Sequence, residues 1–368
     1  MTILFSFLPI YLINVFSLDP VTAGSIYGLI FLPWYLKFVY GGISDRLPIG
    51  RFGRRRPYIF FSVCLGLLGW YFAPLISNIN IIFISVGLLT VFSTACADAN
   101  IDGLAIDVTP INERGFLQGM MWGCRGLGAS FSGYVSGVII ANYGWHMLFW
   151  MAGILSVVMI LSTFFILEPS GSPIKHSLSS LKGLIKQKNL WLGVIYFPLV
   201  NIGTGLCFVF FSPFLVNEIM LPIDRVGLCI SLFYAGSIFS PFIAGKMSDS
   251  IGSLKTTCIF SVLWAVAMVL MLTIRPGAIL WPTVYSLLVG GAWGALITIL
   301  LRIAMDISHP EFAGLMFAVF TSLMNFGALW IGASLGGLII ISWGYYALFL
   351  VSGVFPLAAL IFMYLMKS

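Results

Sequence analysis

The chain has 368 residues, of which 60% are hydrophobic and only 8% charged, with a mean hydropathy of +1.07. Soluble domains carry about 45–50% apolar and about 25% charged residues, so a soluble fold is excluded and an all-α, polytopic membrane protein is expected. The net charge of +6 does not indicate nucleic acid, because the basic residues sit in short loops between apolar stretches, where membrane orientation accounts for them.

A membrane crossing needs about 20 apolar residues. The sequence predicts twelve, at 2–18, 21–43, 57–76, 80–106, 115–141, 145–167, 190–216, 224–247, 256–274, 278–304, 313–341 and 344–366. The N-terminus enters an apolar segment at once, without the basic lead and small-residue cleavage site of a signal peptide. That first span is short, and with no cytoplasmic lead before it points to residues lost upstream or to a late start.

The loop after the second span reads GGISDRLPIGRFGRRRP, Gly41 to Pro57. Asp45 and Arg46 follow the Gly41-Gly42 step and can meet Arg51, Arg54, Arg55 and Arg56 across a short turn. Pro57 opens the third span, where a missing N–H costs nothing. In the fourth span Asp98 and Asp102 are four apart and share a helix face. By helix rise, Asp98 lies about 13 Å from the cytoplasmic end, Lys37 about 12 Å and Arg125 about 15 Å, so the four groups can share one layer. Ionisable groups at such depth are costly and are functional candidates by default. Asp98 or Asp102 is expected to carry a coupling cation, H+ or Na+, with Lys37 and Arg125 as counter-charges or as ligands for an anionic substrate group. The competing reading is a static ion-pair network that only fixes helix packing.

Gln118, Trp122 and Arg125 recur at helical spacing on one stripe of the fifth span. Trp122 can stack a substrate ring or simply pack. Glu168 to Lys188, EPSGSPIKHSLSSLKGLIKQK, is polar and divides the chain into two runs of six spans. In the seventh span Asn201 and Thr204, near Pro198, can line a local break facing a cavity, or mark a packing kink. Asp107, Glu113 and Arg114 on one side, and Asp306 and Glu311 on the other, read as gate charges.

With both termini cytoplasmic, the inner loops and C-terminus receive fourteen of the eighteen basic residues, which sets the orientation. An internal repeat accompanies it. Gly41 to Arg46 recurs from Gly245, so that Asp45 and Asp249 are 204 positions apart; Asp107 and Asp306, each eight residues before a glycine, are 199 apart. The expected architecture is therefore twelve transmembrane helices in two six-helix pseudo-repeats: an N-terminal bundle at 1–167, a cytoplasmic linker at 168–189 and a C-terminal bundle at 190–368.

These residues resemble the major facilitator superfamily, whose second loop carries Gly-x-x-x-Asp-Arg-x-Gly-Arg-Arg; here the pattern is stretched over Gly41, Asp45, Arg46, Gly53, Arg54 and Arg55. The GRRRP ending is similar to glycoside or sucrose:cation symporters, and LPWYLKFVYGGISDRLPI, 32–49, to folate-biopterin transporters. ADANIDGLAID, 97–107, with QGMMWGCRGLG, 118–128, is similar to that second group and to muropeptide and acetyl-CoA permeases. The resemblance implies alternating access by rocking of two six-helix domains, with the Asp45 loop latching the cytoplasmic side.

The functional expectation is a secondary active transporter for a small polar or anionic solute, coupled to H+ or Na+. Its alternative is a non-transporting member acting as an assembly factor or sensor. An enzyme is not expected: His146, His176 and His309 lie in loops, and nucleophile, metalloprotease, phosphate-loop and dinucleotide fingerprints are missing. Cys64, Cys96, Cys124, Cys207, Cys229 and Cys258 read as small packing residues rather than metal ligands. No cofactor is implied beyond the coupling ion. The expected setting is a monomer in the lipid bilayer of the plasma membrane.

Overall fold

The computed structural model describes residues 1–49, 53–109, 114–166, 168, 188–308 and 313–367, with the backbone alone at 106, 114–119, 313–315 and 367. Among these residues the regular structure is helical, with no strand.

The first helix, α1 (Ile3–Val15), is short and contains two π-helical turns, Ile3–Phe7 and Tyr11–Val15, on either side of Pro9. The second span, expected as one helix, is broken into α2 (Pro20–Ile30), α3 (Leu32–Tyr35) and α4 (Lys37–Arg46). Phe31 (φ −81°, ψ 2°) and Leu36 (φ −96°, ψ 14°) leave the helical region at the two breaks. Pro33 explains the break at Phe31, since it lacks an N–H and its ring collides with the carbonyl four residues back.

Helix α5 (Arg56–Phe72) opens with Pro57 in its first turn, and α6 (Ile81–Val108) is capped by Asn80, whose side-chain oxygen accepts from Ile82 and Phe83 N–H at 3.0 Å. Then follow α7 (Arg114–Thr163), α8 (Lys188–Asn217), α9 (Ile223–Ile251), α10 (Ser253–Met271) and α11 (Leu280–Asp306). Helix α12 (Ala313–Phe326) runs through a π turn, Gly327–Gly332, into α13 (Ala333–Lys367).

Two of these runs each hold two crossings. Helix α7 bends at Gly144 (φ 77°) and α13 at Gly344 (φ 81°), a backbone region that side chains with a Cβ rarely adopt. The bends are 200 positions apart within NYGWHMLF, 142–149, and SWGYYALF, 342–349, and in both segments the Leu and Phe four and five residues on are buried. This is a third echo of the repeat. Among the described residues, eight helical runs are long and apolar enough to cross a membrane; with two of them doubled, and with α1 and the broken α2–α4 segment, they amount to twelve spans. The sixth span ends at Thr163, short of 167, because Phe164 and Phe165 turn back to donate their N–H groups to the Leu161 and Ser162 carbonyls.

By packing, the chain forms two compact units. One comprises Met1–Gly28, Gly123–Ala141 and Leu181–Ser368; the other comprises Leu29–Trp122 and Asn142–Ser180. In the first unit, small residues let helices approach closely. A β-carbon at Gly137 would lie 2.7 Å from the Gly227 Cα, and one at Gly24 would lie 2.3 Å from the Ala333 carbonyl oxygen. In the second unit, Gly66 and Gly69 of α5 receive Ser93 and Thr90 of α6, while Ile59, Val63 and Ala97 form a buried cluster beneath Ile101, Leu104 and Met159.

The tightest approach is at Gly290 of α11, where a β-carbon would stand 1.8 Å from the Phe233 carbonyl oxygen; at the adjacent Gly291 it would meet nothing nearer than 3.7 Å. Gly290→Ala should destabilise the folded protein by about 1–3 kcal/mol. Gly291→Ala should be neutral or stabilising by up to about 1 kcal/mol. Thermal melts of both variants in one detergent check this, and equal melting temperatures would contradict it.

Candidate functional site

The break in the second span sets the candidate site. Lys37 is the first residue of α4, directly after the Leu36 turn, and its ammonium donates to Asp98 Oδ2 on α6. The same nitrogen lies 4.7 Å from the centre of the Trp34 ring. The Asp98 side chain is 9% exposed and that of Lys37 21%, so the pair is largely withdrawn from solvent. A cation over a ring face contributes up to about 2 kcal/mol when desolvated. Removing one partner of a buried pair costs about 3–5 kcal/mol, because it strands the other charge. Asp102, one turn further along α6, is half-buried. Nearby Asn100 is fully buried; its amide donates to the Cys96 carbonyl at 2.8 Å, and its Oδ1 has no partner among the described residues.

A second cluster forms where α4, α5, α6 and the end of α7 converge. The Arg55 guanidinium donates to Asp45 Oδ1 at 2.6 Å, to Asp107 Oδ2 at 2.8 Å and to Ser44 Oγ at 3.2 Å. Arg54 donates to the same Asp107 oxygen at 2.6 Å. Gly103 makes room for this guanidinium, since a β-carbon there would lie 2.2 Å from Arg55 Cζ. Glu168 closes the cluster. Its carboxylate accepts the backbone N–H groups of Arg54 (2.9 Å), Arg55 (2.7 Å) and Arg56 (3.0 Å), satisfying the orphan donors at the start of α5 where the helix dipole favours negative charge. Gly53 permits that approach twice over, through a φ of 102° and through a position where a β-carbon would lie 2.3 Å from Glu168 Oε2.

The electrostatics follow. Burial is the largest single influence on Asp107 and raises its pKa, but the hydrogen bonds and charges of Arg55 and Arg54 together outweigh it and hold the carboxyl below its usual range. Burial likewise lowers the Arg54 pKa, and Asp107, Asp45 and Glu168 turn the net shift upward.

In the other repeat the arrangement differs. Arg302 of α11 donates to Asp249 and lies 3.8 Å from Asp306, one turn along its own helix. The 199-position step from Asp107 to Asp306 carries Gly103 onto Arg302. A guanidinium thus sits beside the repeated aspartates in both halves, delivered over a glycine by α5 in one and grown from α11 itself in the other. With Asp249 71% exposed, that second pair is worth only about 0–1 kcal/mol.

Gly41 and Gly245 have open space where a β-carbon would stand, and Arg46 is exposed. Trp122 is 43% exposed and belongs to the second unit, whereas Arg125 is half-buried and belongs to the first. Asn201 is buried within α8 and donates to the Phe197 carbonyl at 2.9 Å, while Thr204 donates to the Asn201 carbonyl at 3.3 Å, so both are engaged inside their own helix. Glu113 and Glu311, and the side chains of Arg114 and Gln118, lie outside the described residues. Glu168, Ser44, Gly103 and Arg302 were not expected. Glu168 had one available signal, a carboxylate ending a span at the level of an arginine-rich loop. Among the described residues no three His, Cys, Asp or Glu cluster as metal ligands, and all six cysteines are free; Cys124 is exposed rather than packed.

The family model described as Major Facilitator Superfamily matches residues 1–220 and 199–368. A folate-biopterin transporter of Synechocystis is 31% identical over 162 residues, which is 42% of this chain and 32% of that protein. Folate transporter 1 of Plasmodium falciparum is 26% identical over 229 residues, 58% of this chain and 43% of that protein, and the benzoate transport protein of Acinetobacter baylyi is 25% identical over 154 residues, 40% and 32%. The chain thus spans a third to under half of the length of these curated relatives. A crystal structure of the nucleoside transporter NupG superposes with a TM-score of 0.78 at 12% identity, over 100% of this chain and 96% of that one.

The pH response of the second cluster can be stated. Because the folded Asp107 value lies below the ordinary one near 3.9, its stabilisation is fully present above about pH 4 and is lost as the pH falls through the lowered value. Asp107→Asn should melt a few degrees below the native chain at about pH 7, and the gap should narrow as the pH is taken below about 4. A gap unchanged down to about pH 3 would contradict this role.

Proposed function

The chain belongs to the Major Facilitator Superfamily, and from that premise we propose that it is a secondary active transporter, moving a small polar or anionic solute by alternating access with H+ or Na+ coupling. The observation that carries the reading is the Lys37–Asp98 pair, an ion pair largely withdrawn from solvent between two membrane helices at a break in one of them. Hydrocarbon makes such a pair expensive to keep without a use. Family and fold speak for transport rather than catalysis. The solutes after which the relatives are named, folate, biopterin and benzoate, share planar rings, and this supports a planar ring-bearing solute ahead of sugars or peptides.

In this reading Asp98 or Asp102 holds the coupling cation and Lys37 the anionic group of the solute, with Arg125, Trp122, Gln118 and Asn201 as further candidates to line the path. The two aspartate–arginine clusters act as latches on the cytoplasmic side, with Gly41, Asp45, Arg46, Arg54, Arg55, Asp107, Glu113 and Arg114 in one and Gly245, Asp249 and Asp306 in the other. The basic loops support cytoplasmic termini; the plasma membrane is the proposed setting and a monomer the proposed working unit.

Counterflow in proteoliposomes across sugars, pterins or folates, small peptides and organic anions tests the reading. Exchange of a planar solute is expected; no exchange of any class would favour a non-transporting assembly factor or sensor. Asp98→Asn and Asp102→Asn separate coupling from packing, since accumulation still driven by an imposed proton or sodium gradient in both variants would remove them from the coupling role. Asp45→Asn deletes one charge-assisted hydrogen bond of a partly exposed carboxylate, about 1.4 kcal/mol, which is roughly tenfold in the rate of interconversion. Solute affinity should stay near native, and lost binding at unchanged turnover would contradict the latch.

A further inference from the structure

Among the described residues α8 is the most enclosed of the long helices, and from Val200 to Leu215 every residue on it is buried but one. The exception is Phe208, which is half-buried. Its ring is flanked from three other helices. Trp293 of α11 stacks on it at 5.5 Å and 13°, Phe5 of α1 meets it edge-on at 5.8 Å, and Phe233 of α9 lies tilted at 6.0 Å.

Trp293, midway along α11, is half-buried as well. Gly290 and Gly294, on either side of it in sequence, bring the α11 backbone against Phe233, Ser237 and Ser240 of α9, and the indole passes the Phe233 ring at 5.5 Å to reach Phe208. Two rings held in this way are preorganised, so a third ring laid on their open face stacks without first having to order them.

The chemistry around the stack is neutral. On α8, α9 and α11 the charged residues nearest to it in sequence are Lys188, Arg225, Lys246 and Arg302, two turns or more away, and α1 carries none. Such walls suit the uncharged part of a solute and not its anionic group. The polar groups beside the rings are hydroxyls. Ser6, Ser212, Phe208 and Phe233 line one small cavity; Ser212 donates to the Ser6 carbonyl at 2.5 Å, and Ser6 Oγ lies 3.3 Å from the Tyr234 hydroxyl, where either can donate. A hydroxyl offers one donor and two lone pairs, so these groups can meet the ring nitrogens and carbonyl of a heterocycle, which a dry site would otherwise leave unpaired. A benzene ring has no such edge.

We propose that the Trp293–Phe208 stack, bordered by the Ser6 and Tyr234 hydroxyls, receives the uncharged ring of the solute and selects a fused heteroaromatic ring over a single benzene ring. The indole supplies a face as wide as two fused rings. This rests on the transport reading and deepens it, by naming the ring class and the residues that discriminate it.

The test uses the full chain in proteoliposomes, with pterin-6-carboxylate as the fused ring and benzoate as the single ring, each bearing one carboxylate. The native chain should exchange pterin-6-carboxylate, and benzoate should compete only weakly. Trp293→Ala should raise the half-saturating concentration of pterin-6-carboxylate about tenfold while its maximal rate stays within about twofold, and the concentration of benzoate needed to compete should move less than about threefold. Trp293→Phe, which keeps a ring face, should lose only part of the preference. An unchanged half-saturation in Trp293→Ala, equal losses for the two solutes, or a phenylalanine variant as impaired as the alanine one would overturn the proposal. Should the alanine variant not fold, the ratio of the two concentrations in Trp293→Phe decides, because a ratio does not depend on how much protein is folded; a several-fold fall in preference supports the stack and an unchanged ratio removes it. Exchange of benzoate, a sugar or a peptide but not of pterin-6-carboxylate would end this proposal and leave the transport reading standing, whereas no exchange by any class would end both.

Discussion

Hydrocarbon offers no partner to a polar group, and most of this structure follows from that constraint. Backbone groups are satisfied within helices, and serine and threonine hydroxyls donate to carbonyls one turn back, as Thr90 does to Val86 and Thr94 to Thr90. Helices that cannot be driven together by water are instead held by close fit, with glycines at positions such as Gly66, Gly137, Gly227 and Gly290 receiving a neighbouring side chain or backbone. Against that background a lysine and an aspartate left in the interior must find each other. The second break, at Leu36, supplies the means, because it lets Lys37 begin a new helix beside Asp98.

The two ends of the repeat show how one electrostatic arrangement can be reached by different residues. In the first, three carboxylates, Asp45, Asp107 and Glu168, surround Arg54 and Arg55, and Gly103 is small so that a guanidinium from α5 can lie on α6. In the second, Arg302 stands at the matching position of α11 and reaches both Asp249 and Asp306. The first is withdrawn from solvent, with Arg54 and Arg55 at 8% and 6% exposure, and the second is open. The two clusters therefore differ in strength, and if they open in turn the first is the more costly to break.

Much of this was legible in the residues. Hydropathy located the spans to within a few positions, since long apolar runs bounded by charge have few other uses. The spacing of Asp45, Asp107, Asp249 and Asp306 exposed the repeat. What escaped was where one residue bends the rule. Pro33 lies in a run apolar enough to read as a single helix, and the shared context of Gly144 and Gly344, NYGWHMLF and SWGYYALF, carries an echo of the repeat that the aspartate spacing alone does not reach. Depth along a helix put Lys37 and Asp98 at one level, and the structure pairs them, but depth carries no azimuth and so could not say which side chains of that level face one another. Glu168 was hidden because its partners are backbone N–H groups, which leave no trace in composition.

In the proposed cycle the Lys37–Asp98 pair opens as solute binds, and the freed Asp98 takes up a proton as the coupling cation. Infrared difference spectra of the reconstituted chain, recorded on adding a transported solute, report this directly. The predicted result is a protonated-carboxyl band that grows with solute and vanishes in Asp98→Asn. A spectrum in which solute binds with no such band, or with the same band in the variant, would contradict it.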